Sequence, residues 1–335
     1  MYLAATSDDR HIEGSIATIG KNLVRPGFRR FGSWLLHLLD YSPSIKLSQL
    51  QLYLHYADLV QQRRPLPSIF EVGYRVFSEV DEDGLLLFLF AALGMKTRTF
   101  VDIGAGGVNG SNTANLAIYF GWHGLLIDAD ENRMREGQRF YRQLGDTRHY
   151  PPKSVCARVT RENVNEIIRS AGFEGEVDLL SIDIDGNDYW VWDALECIQP
   201  RVVIIETHPD FAYRNIIVPY DPSYVYPGRH PDYHGASPVA MVRLAHLKGY
   251  RLVGSNRYGY NTIYAKTSEG VDVIPEVSVE TVLRHPWAQE RFASFEVMKD
   301  WPYVEGYGET GSGADLAAPS SGARGDSAVR SNKMH

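Results

Sequence analysis

Short apolar runs alternate with amphipathic segments along most of the chain, from about residue 76 to residue 267. The runs are rich in valine, isoleucine and leucine, which is typical of strands buried on both faces of a sheet. The segments between them have apolar positions at helical spacing, so the alternation predicts βαβ units and a mostly parallel sheet. The predicted strands are Thr99–Ile103, Gly124–Ile127, Ser154–Val159, Asp178–Ile182, Arg201–Ile205, Arg251–Gly254 and Asn261–Lys266.

Helices are predicted between these strands, and two of the predicted helices have clear end signals. Leu85–Leu93 has the composition of a buried helix, and Gly94 would end it. Another helix has Ser237 as its N-cap, Pro238 at its first position and Gly249 just beyond its end. The helices that follow the first strand are predicted at Asn112–Phe120, Asn132–Leu144, Arg161–Ala171, Asp188–Ile198 and Pro238–Lys248.

The last two predicted strands are joined only by the short turn Ser255–Tyr260, which has no room for a helix. Two strands joined in this way form an antiparallel hairpin. The sequence therefore predicts an α/β fold with a doubly wound, mostly parallel, seven-stranded sheet that ends in an antiparallel hairpin.

The segments on either side of this domain have different patterns. Residues 1–75 are predicted to form a helical extension, with apolar positions in 31–38 and 50–54. Arg25, Arg29 and Arg30 precede the first of these stripes, so a membrane-surface helix is an alternative to a helix packed on the domain. Residues 268–305 carry several large aromatic residues and are predicted to pack on the domain. Residues 306–335 are rich in small and polar residues and are predicted to be disordered.

Composition and charge exclude several classes of function. The chain has 335 residues, a net charge of −7 and only two cysteines. A negative net charge gives no general attraction to nucleic acid. Two cysteines are too few for a disulfide framework or a zinc cage and fit a reducing compartment. No apolar run is long enough to span a bilayer and the start lacks a signal pattern, so a cytoplasmic protein is predicted, with homo-oligomerisation left open.

A glycine-rich turn follows the strand that ends near Asp102, with glycines at positions 104, 106, 107 and 110. Glycines in such a turn let the backbone approach a ligand closely. A dinucleotide fingerprint requires a third glycine where Asn109 stands, so the match is incomplete. A tight strand-to-helix turn without any ligand is the alternative interpretation.

A second carboxylate strengthens the case for a nucleoside site. The next strand ends at Asp128, and a carboxylate in this position can accept hydrogen bonds from both hydroxyls of a ribose. Two acidic residues at consecutive strand ends, around a glycine turn, are harder to attribute to ordinary loops.

Three segments together resemble the class I S-adenosylmethionine-dependent methyltransferases, and within them the FkbM-like group. They are Val101–Gly106, Ile127–Asp130 and Asp178–Asp188, and the resemblance covers roughly residues 77–267. It implies a Rossmann-like class I methyltransferase fold and S-adenosylmethionine as the cofactor. Two positions depart from the pattern of the group, because Ser181 replaces its lysine and Asp185 replaces its glutamate.

The resemblance also implies a set of cofactor contacts. The glycine turn would line the methionine end of the cofactor, Asp128 would bind the ribose, and residues 129–130 would flank the adenine, with Arg158 near the adenine edge. The implied cofactor-binding residues are Asp102, Gly104, Ala105, Gly106, Asn109, Asp128, Ala129, Arg158 and Asp183.

The ends of the fourth and fifth strands carry candidate catalytic groups. Asp183 or His208 could be a general base, or Asp183, Asp185 and Glu206 could hold Mg²⁺, which prefers oxygen ligands. Alternatively, Asp188 caps the next helix and His208 only orders its loop.

The long aromatic loop that follows the fifth strand, residues 220–237, is predicted to line the acceptor side of the pocket. Its candidate residues are His230, Tyr233 and His234, and His234 is a third candidate catalytic residue. The predicted reaction is O-methylation of a sugar, glycan or specialised metabolite. A nicotinamide-dependent oxidoreductase is disfavoured by Asn109 and by the absence of a Tyr-x-x-x-Lys pattern, and a non-catalytic nucleoside-binding subunit is the third alternative.

Overall fold

The computed structural model describes residues 43–308. The chain divides into two units, residues 1–58 and 59–335. The described residues of the first unit lie in helix α1 (Pro43–Gln61). The predicted stripe at residues 31–38, the arginines before it and most of the predicted tail lie outside the described residues. No helix within residues 43–308 combines the length and apolarity that crossing a bilayer requires.

The second unit is built on a seven-stranded sheet in the order β3-β2-β1-β4-β5-β8-β7. All neighbouring strands from β3 to β5 are parallel, and β8 pairs antiparallel with both β5 and β7. The strands are β1 (Thr99–Ile103), β2 (His123–Asp128), β3 (Lys153–Cys156), β4 (Gly175–Ile182), β5 (Ile198–Glu206), β7 (Tyr250–Ser255) and β8 (Asn261–Lys266). The predicted α/β fold, with its mostly parallel seven-stranded sheet and closing antiparallel hairpin, is confirmed.

Helices flank the sheet, and smaller elements follow it. The helices of the second unit are α2 (Glu82–Leu93), α3 (Ala114–Phe120), α4 (Glu131–Gln143), α5 (Val164–Ser170), α6 (Asp188–Ala194), α7 (Pro238–Leu247), α8 (Val279–Val282) and α9 (Pro286–Arg291). Short 3-10 helices occupy Ile69–Glu71, Pro209–Phe211 and Phe292–Val297, and β6 (Ile216–Ile217) pairs antiparallel with β9 (Val304–Glu305).

Local signals explain the ends of two helices. Helix α2 ends at Gly94, whose φ of +73° is unfavourable for residues with a Cβ. The Ser237 hydroxyl accepts a hydrogen bond from Ala240 N at 3.0 Å, so it caps α7 as predicted.

The core lies against the middle of the sheet. Val101, Leu180 and Val203, on β1, β4 and β5, are fully buried, as expected for parallel strands covered on both faces. In the segment 268–305, Phe295 and Met298 pack with Phe211 in a second apolar cluster. Because β1 to β5 run in the same direction, their carboxyl ends meet at one edge, where open α/β sheets bind ligands.

Candidate functional site

The glycine turn after β1 is held closed by Asp102. The Asp102 carboxylate is buried and accepts hydrogen bonds from Thr113 Oγ1 at 2.7 Å and Ser111 Oγ at 3.2 Å. Burial raises the pKa of this carboxyl, and the Thr113 hydrogen bond opposes that shift. Asp102 therefore connects the end of β1 to the residues just before α3.

Gly104 permits the close approach of β1 and β4 at this edge. Its φ is +87°, and a Cβ at this position would lie 1.7 Å from the carbonyl oxygen of Asp183. The backbone N–H groups of Gly104 and Ala105 both donate to the carbonyl of Ile127, at 2.9 and 3.1 Å. The turn is thus fixed to the ends of β2 and β4, and no other residue type fits at position 104.

Asp128 faces this turn from the end of β2. One of its carboxylate oxygens accepts the Gly106 N–H at 2.8 Å and the other accepts the Asp130 N–H at 2.7 Å. The side chain is half-buried, and a carboxylate has lone pairs for further donors. The chemistry of this group therefore fits a ribose diol. Asp130 itself caps α4, accepting from the N–H groups of Asn132 and Arg133.

The far end of the glycine turn is held by a segment that the sequence analysis did not single out. Gly110 N donates to Phe77 O at 2.7 Å, whereas the predicted cofactor residue Asn109 is exposed. The buried Asp83 carboxylate accepts the N–H groups of Val76, Phe77 and Ser78 at 2.7–2.9 Å. The buried Asp83–Gly84 pair at the start of α2 was the available signal.

Arg158 and Ala129 lie beside β3, which ends at Cys156, earlier than predicted. The Arg158 side chain is exposed and donates a hydrogen bond to the carbonyl of Tyr224. The Ala129 carbonyl lies 3.8 Å from the thiol of Cys156. Arg158 therefore links the predicted adenine side to the loop of residues 220–237.

Three carboxylates meet beyond the ends of β4 and β5. Asp183, Asp185 and Glu206 each place one oxygen within 4.8 Å of the others. Burial raises the pKa of Asp183 well above its usual range, and the nearby Asp188 and Asp185 raise it further. Burial, followed by the charge of Asp183, does the same to the pKa of Glu206. This group therefore suits a proton or a cation.

Asp188 organises the turn before α6. Its two carboxylate oxygens accept the N–H groups of Ile184 at 2.8 Å and Gly186 at 2.9 Å. The N-cap of α6 is Asn187, which makes no side-chain capping bond. The alternative interpretation of Asp188 as the cap of the next helix is therefore wrong. Asp188 instead closes the preceding turn, in which Asp185 has a φ of +51°.

Two buried histidines lie next to the carboxylates. The rings of His208 and His234 are 4.0 Å apart between centroids and nearly perpendicular, at 77°. Glu206, His208 and His234 each place one ligand atom within 4.8 Å of the others. Burial, with the neighbouring His208, lowers the pKa of His234 to about 2, so its imidazole is neutral. Glu206 belongs to both groups.

Tyr224 is a site residue that the sequence analysis missed. Its ring fills the space that a Cβ would need at Gly186, at 2.6 Å, and at Gly228, at 2.5 Å. The ring centroid is 6.0 Å from that of His234, and burial followed by Asp185 raises the pKa of the phenol. Gly228 lies in the same loop as Tyr224, but Gly186 is 38 residues earlier in the sequence, and no local pattern connects Gly186 to Tyr224.

The other two predicted acceptor-side residues have different neighbours. Tyr233 packs edge-on against Trp301, with centroids 4.8 Å apart, and His230 contacts the same indole at 6.0 Å. Only His234 of the three joins the group at the ends of β4 and β5.

Comparison with known proteins gives weak likenesses. No protein-family model and no curated protein matches the chain. A SAM-dependent methyltransferase from Methanosarcina mazei is 14% identical, with a TM-score of 0.32, over 50% of this chain and 92% of that one. TnmH is 14% identical, with a TM-score of 0.31, over 77% and 68%.

A third solved structure, coclaurine N-methyltransferase bound to N-methylheliamine and SAH, is 15% identical, with a TM-score of 0.32, over 68% of this chain and 70% of that one. Likenesses of this size carry no argument about substrate or chemistry. The strand order and hydrogen bonds of this chain carry the fold assignment.

Proposed function

We propose that this chain is an S-adenosylmethionine-dependent methyltransferase that methylates a hydroxyl group of a sugar, glycan or specialised metabolite. The observation that carries the proposal is the meeting of the glycine turn with Asp128 at the carboxyl edge of a sheet in this strand order. The FkbM-like group remains the subfamily that we propose, on the sequence segments that resemble it.

The cofactor would be held by the turn and by the end of β2. Gly106, where an added Cβ would meet no atom closer than 3.8 Å, leaves room beside the backbone, and the free lone pairs of Asp128 would accept the ribose hydroxyls. We assign Asp102 to positioning, because its carboxylate is occupied by Ser111 and Thr113. When bound, S-adenosylmethionine supplies an electrophilic methyl group on a sulfonium.

Asp183 is the residue that we propose takes the proton of the acceptor hydroxyl. It directly follows β4, and its backbone touches the glycine turn at Gly104, so it stands between the proposed cofactor site and Glu206. A hydroxyl becomes a competent nucleophile only when a base accepts its proton, which an amine does not require. This carboxylate-rich edge therefore favours an oxygen acceptor.

An oxygen-ligand Mg²⁺ site at Asp183, Asp185 and Glu206 is the alternative use of the same carboxylates. The two uses make different predictions. If Asp183 is a base and these carboxylates hold no Mg²⁺, adding Mg²⁺ after EDTA treatment leaves turnover unchanged, whereas a Mg²⁺ site predicts loss with EDTA and recovery with added Mg²⁺.

Calorimetry with S-adenosylhomocysteine tests the proposal. We expect binding to the unaltered protein, little binding to Asp128→Ala and no binding of NAD⁺. The matched control is Glu176→Ala, which removes an exposed carboxylate on β4 that pairs with Lys96 at 2.9 Å and lies outside the proposed cofactor site. Binding of NAD⁺ instead, or full binding by Asp128→Ala, would contradict the proposal.

The acceptor is identified by transfer of label. Protein, cofactor labelled in its methyl group and a panel of glycans and small polyhydroxylated molecules are incubated together, and the labelled product is isolated. Label on oxygen supports the proposal, and label on nitrogen or carbon contradicts its O-directed part.

A further inference from the structure

Three side-chain atoms that could bind a metal ion lie close together beside the carboxylates of Asp183 and Asp185. Glu206 ends β5, His208 follows it by two residues, and His234 comes from the loop that returns to the sheet before α7. One carboxylate oxygen and one nitrogen of each imidazole lie within 4.8 Å of one another. His208 and His234 are 26 residues apart in the sequence, and the fold brings their side chains together.

Each of these residues has a buried polar atom without a hydrogen-bond partner in the described part of the chain. The atoms are Glu206 Oε2, His208 Nε2 and His234 Nδ1. The two histidines are 8% and 4% exposed. Leaving a buried polar atom without a partner is unfavourable, so three such atoms on residues this close together call for a common partner.

The imidazoles are held in place by contacts on their other sides. His208 Nδ1 lies 3.9 Å from Asp210 Oδ2, and Nε2 is the ring nitrogen that is buried without a partner in the described residues. His234 has a hydrogen bond to the backbone of Pro231, and since proline has no N–H, the carbonyl accepts it. Such outer contacts fix the tautomer and the ring orientation of histidines that bind metals.

The backbone adds to this rigidity at Gly235. Its φ is +66°, and a Cβ there would lie 2.7 Å from Cδ2 of His208. His208 N also donates to Ala236 O at 2.8 Å. The residues next to His234 are therefore fixed against His208, so the pair is held together before any ligand arrives.

We propose that Glu206, His208 and His234 bind one divalent first-row transition metal ion, of the Zn²⁺ or Co²⁺ type. Two imidazoles and one carboxylate suit such ions, whereas Mg²⁺ and Ca²⁺ prefer sites made entirely of oxygen ligands. Three protein ligands leave coordination positions open for a substrate or water.

This site differs from the Asp183, Asp185 and Glu206 set in ligand chemistry, although the two share Glu206. The proposal that Glu206, His208 and His234 bind a metal ion does not depend on the proposal that the protein transfers a methyl group. If the proposed function also holds, an ion at this site would bind the acceptor hydroxyl and lower its pKa, and Asp183 would take the proton.

The test measures metal binding by the full chain after removal of bound metals with EDTA and dialysis. Titration with Co²⁺, followed by its visible absorption, and calorimetry with Zn²⁺ are expected to give one equivalent of tight binding. Mg²⁺ is expected to bind at least on the order of 100-fold more weakly. His208→Ala and His234→Ala are each expected to lower Co²⁺ affinity on the order of 100-fold or more.

His246→Ala is the matched control, because His246 is an exposed histidine paired with Glu276 at 2.8 Å. It is expected to keep the affinity of the unaltered protein. Thermal melting without metal shows which variants are folded, and His208→Gln and His234→Gln replace any alanine variant that is not.

Unchanged Co²⁺ affinity in folded variants of both histidines would overturn the proposal, and so would Mg²⁺ binding as tight as Co²⁺ binding. Binding of S-adenosylhomocysteine is measured in the same samples. Metal binding without cofactor binding would contradict only the proposed function, and cofactor binding without metal binding would contradict only the metal site.

Discussion

The two ends of the β4–β5 strand pair treat buried charge in opposite ways. At the amino end, Asp178 on β4 and Arg201 on β5 form an ion pair of 2.9 Å with side chains that are 0% and 4% exposed. Both side chains have further partners: Asp178 also accepts the N–H groups of residues 96–98, and Arg201 also pairs with Glu269 at 2.8 Å.

At the carboxyl end of the same strands, Asp183 and Glu206 have the reverse surroundings. Burial raises the pKa of both, and the neighbouring charges, which are other carboxylates, raise it further. A sheet stabilised at one end by matched charges thus keeps mismatched charges at the end that faces the ligand crevice. The difference separates groups that stabilise the fold from groups available for chemistry.

The largest effect is expected at Asp183. Replacing it with asparagine removes the proposed base and should lower the rate of methyl transfer on the order of 10²–10⁴-fold. The melting temperature should not fall, because the substitution removes a charge that its neighbours repel. Single-turnover kinetics and a thermal melt, with S-adenosylhomocysteine affinity as the control for the cofactor site, measure both. Retained turnover would remove Asp183 from the proposal.

Arg201→Met tests the amino end of the β4–β5 strand pair, where we expect a loss of stability. It leaves the Asp178 charge buried without its cation, and breaking a buried pair in this way costs about 3–5 kcal/mol of unfolding free energy. Urea denaturation measures this loss. The control is Lys96→Met, which removes an exposed pair with Glu176 and should cost no more than about 1 kcal/mol. Equal losses in the two variants would refute the comparison.

Strand patterns were enough to predict the sheet, but not every element boundary. Strands β1 and β8 have the predicted bounds, because each is an apolar run with clear local punctuation. The helix predicted at Asp188–Ile198 ends at Ala194 instead. The side chain of Asn165 accepts the N–H groups of Glu196 and Cys197, each at 2.9 Å, so a contact distant in sequence ends the helix.

The candidate site shows the same division between local and distant signals. Asp128, Asp183 and Glu206 were predictable because each follows an apolar strand, and parallel strands bring such positions together. Tyr224 was not, since its ring packs on Gly186, which comes from another segment of the chain. The pattern of apolar residues identifies where a strand ends, but it does not show which distant loop packs against that end.

Gly104→Ala tests whether close backbone packing, rather than ion pairing, holds the glycine turn against the carboxyl end of β4. The added Cβ would overlap the Asp183 carbonyl at 1.7 Å and would require a φ of +87°. Strain of this kind costs about 1–3 kcal/mol, and the displaced turn should also weaken S-adenosylhomocysteine binding. Gly107→Ala is the control, since no atom lies within 4 Å of its added Cβ. Similar behaviour of the two variants in urea denaturation and calorimetry would contradict the assignment.

The smallest expected effect has the opposite sign. Glu206→Gln removes one charge from a group of neighbouring carboxylates and keeps the shape of the side chain, so in EDTA it should raise the free energy of unfolding by about 1 kcal/mol, as substitutions at strained functional sites can. Glu176→Gln, in the exposed pair with Lys96, is the control and should change it less. Asp178→Asn should lower stability because it weakens the matched pair with Arg201. Urea denaturation of all three variants measures the sign directly. If Glu206→Gln is destabilising, the carboxyl end is stabilised by Glu206, and the contrast between the two strand ends fails.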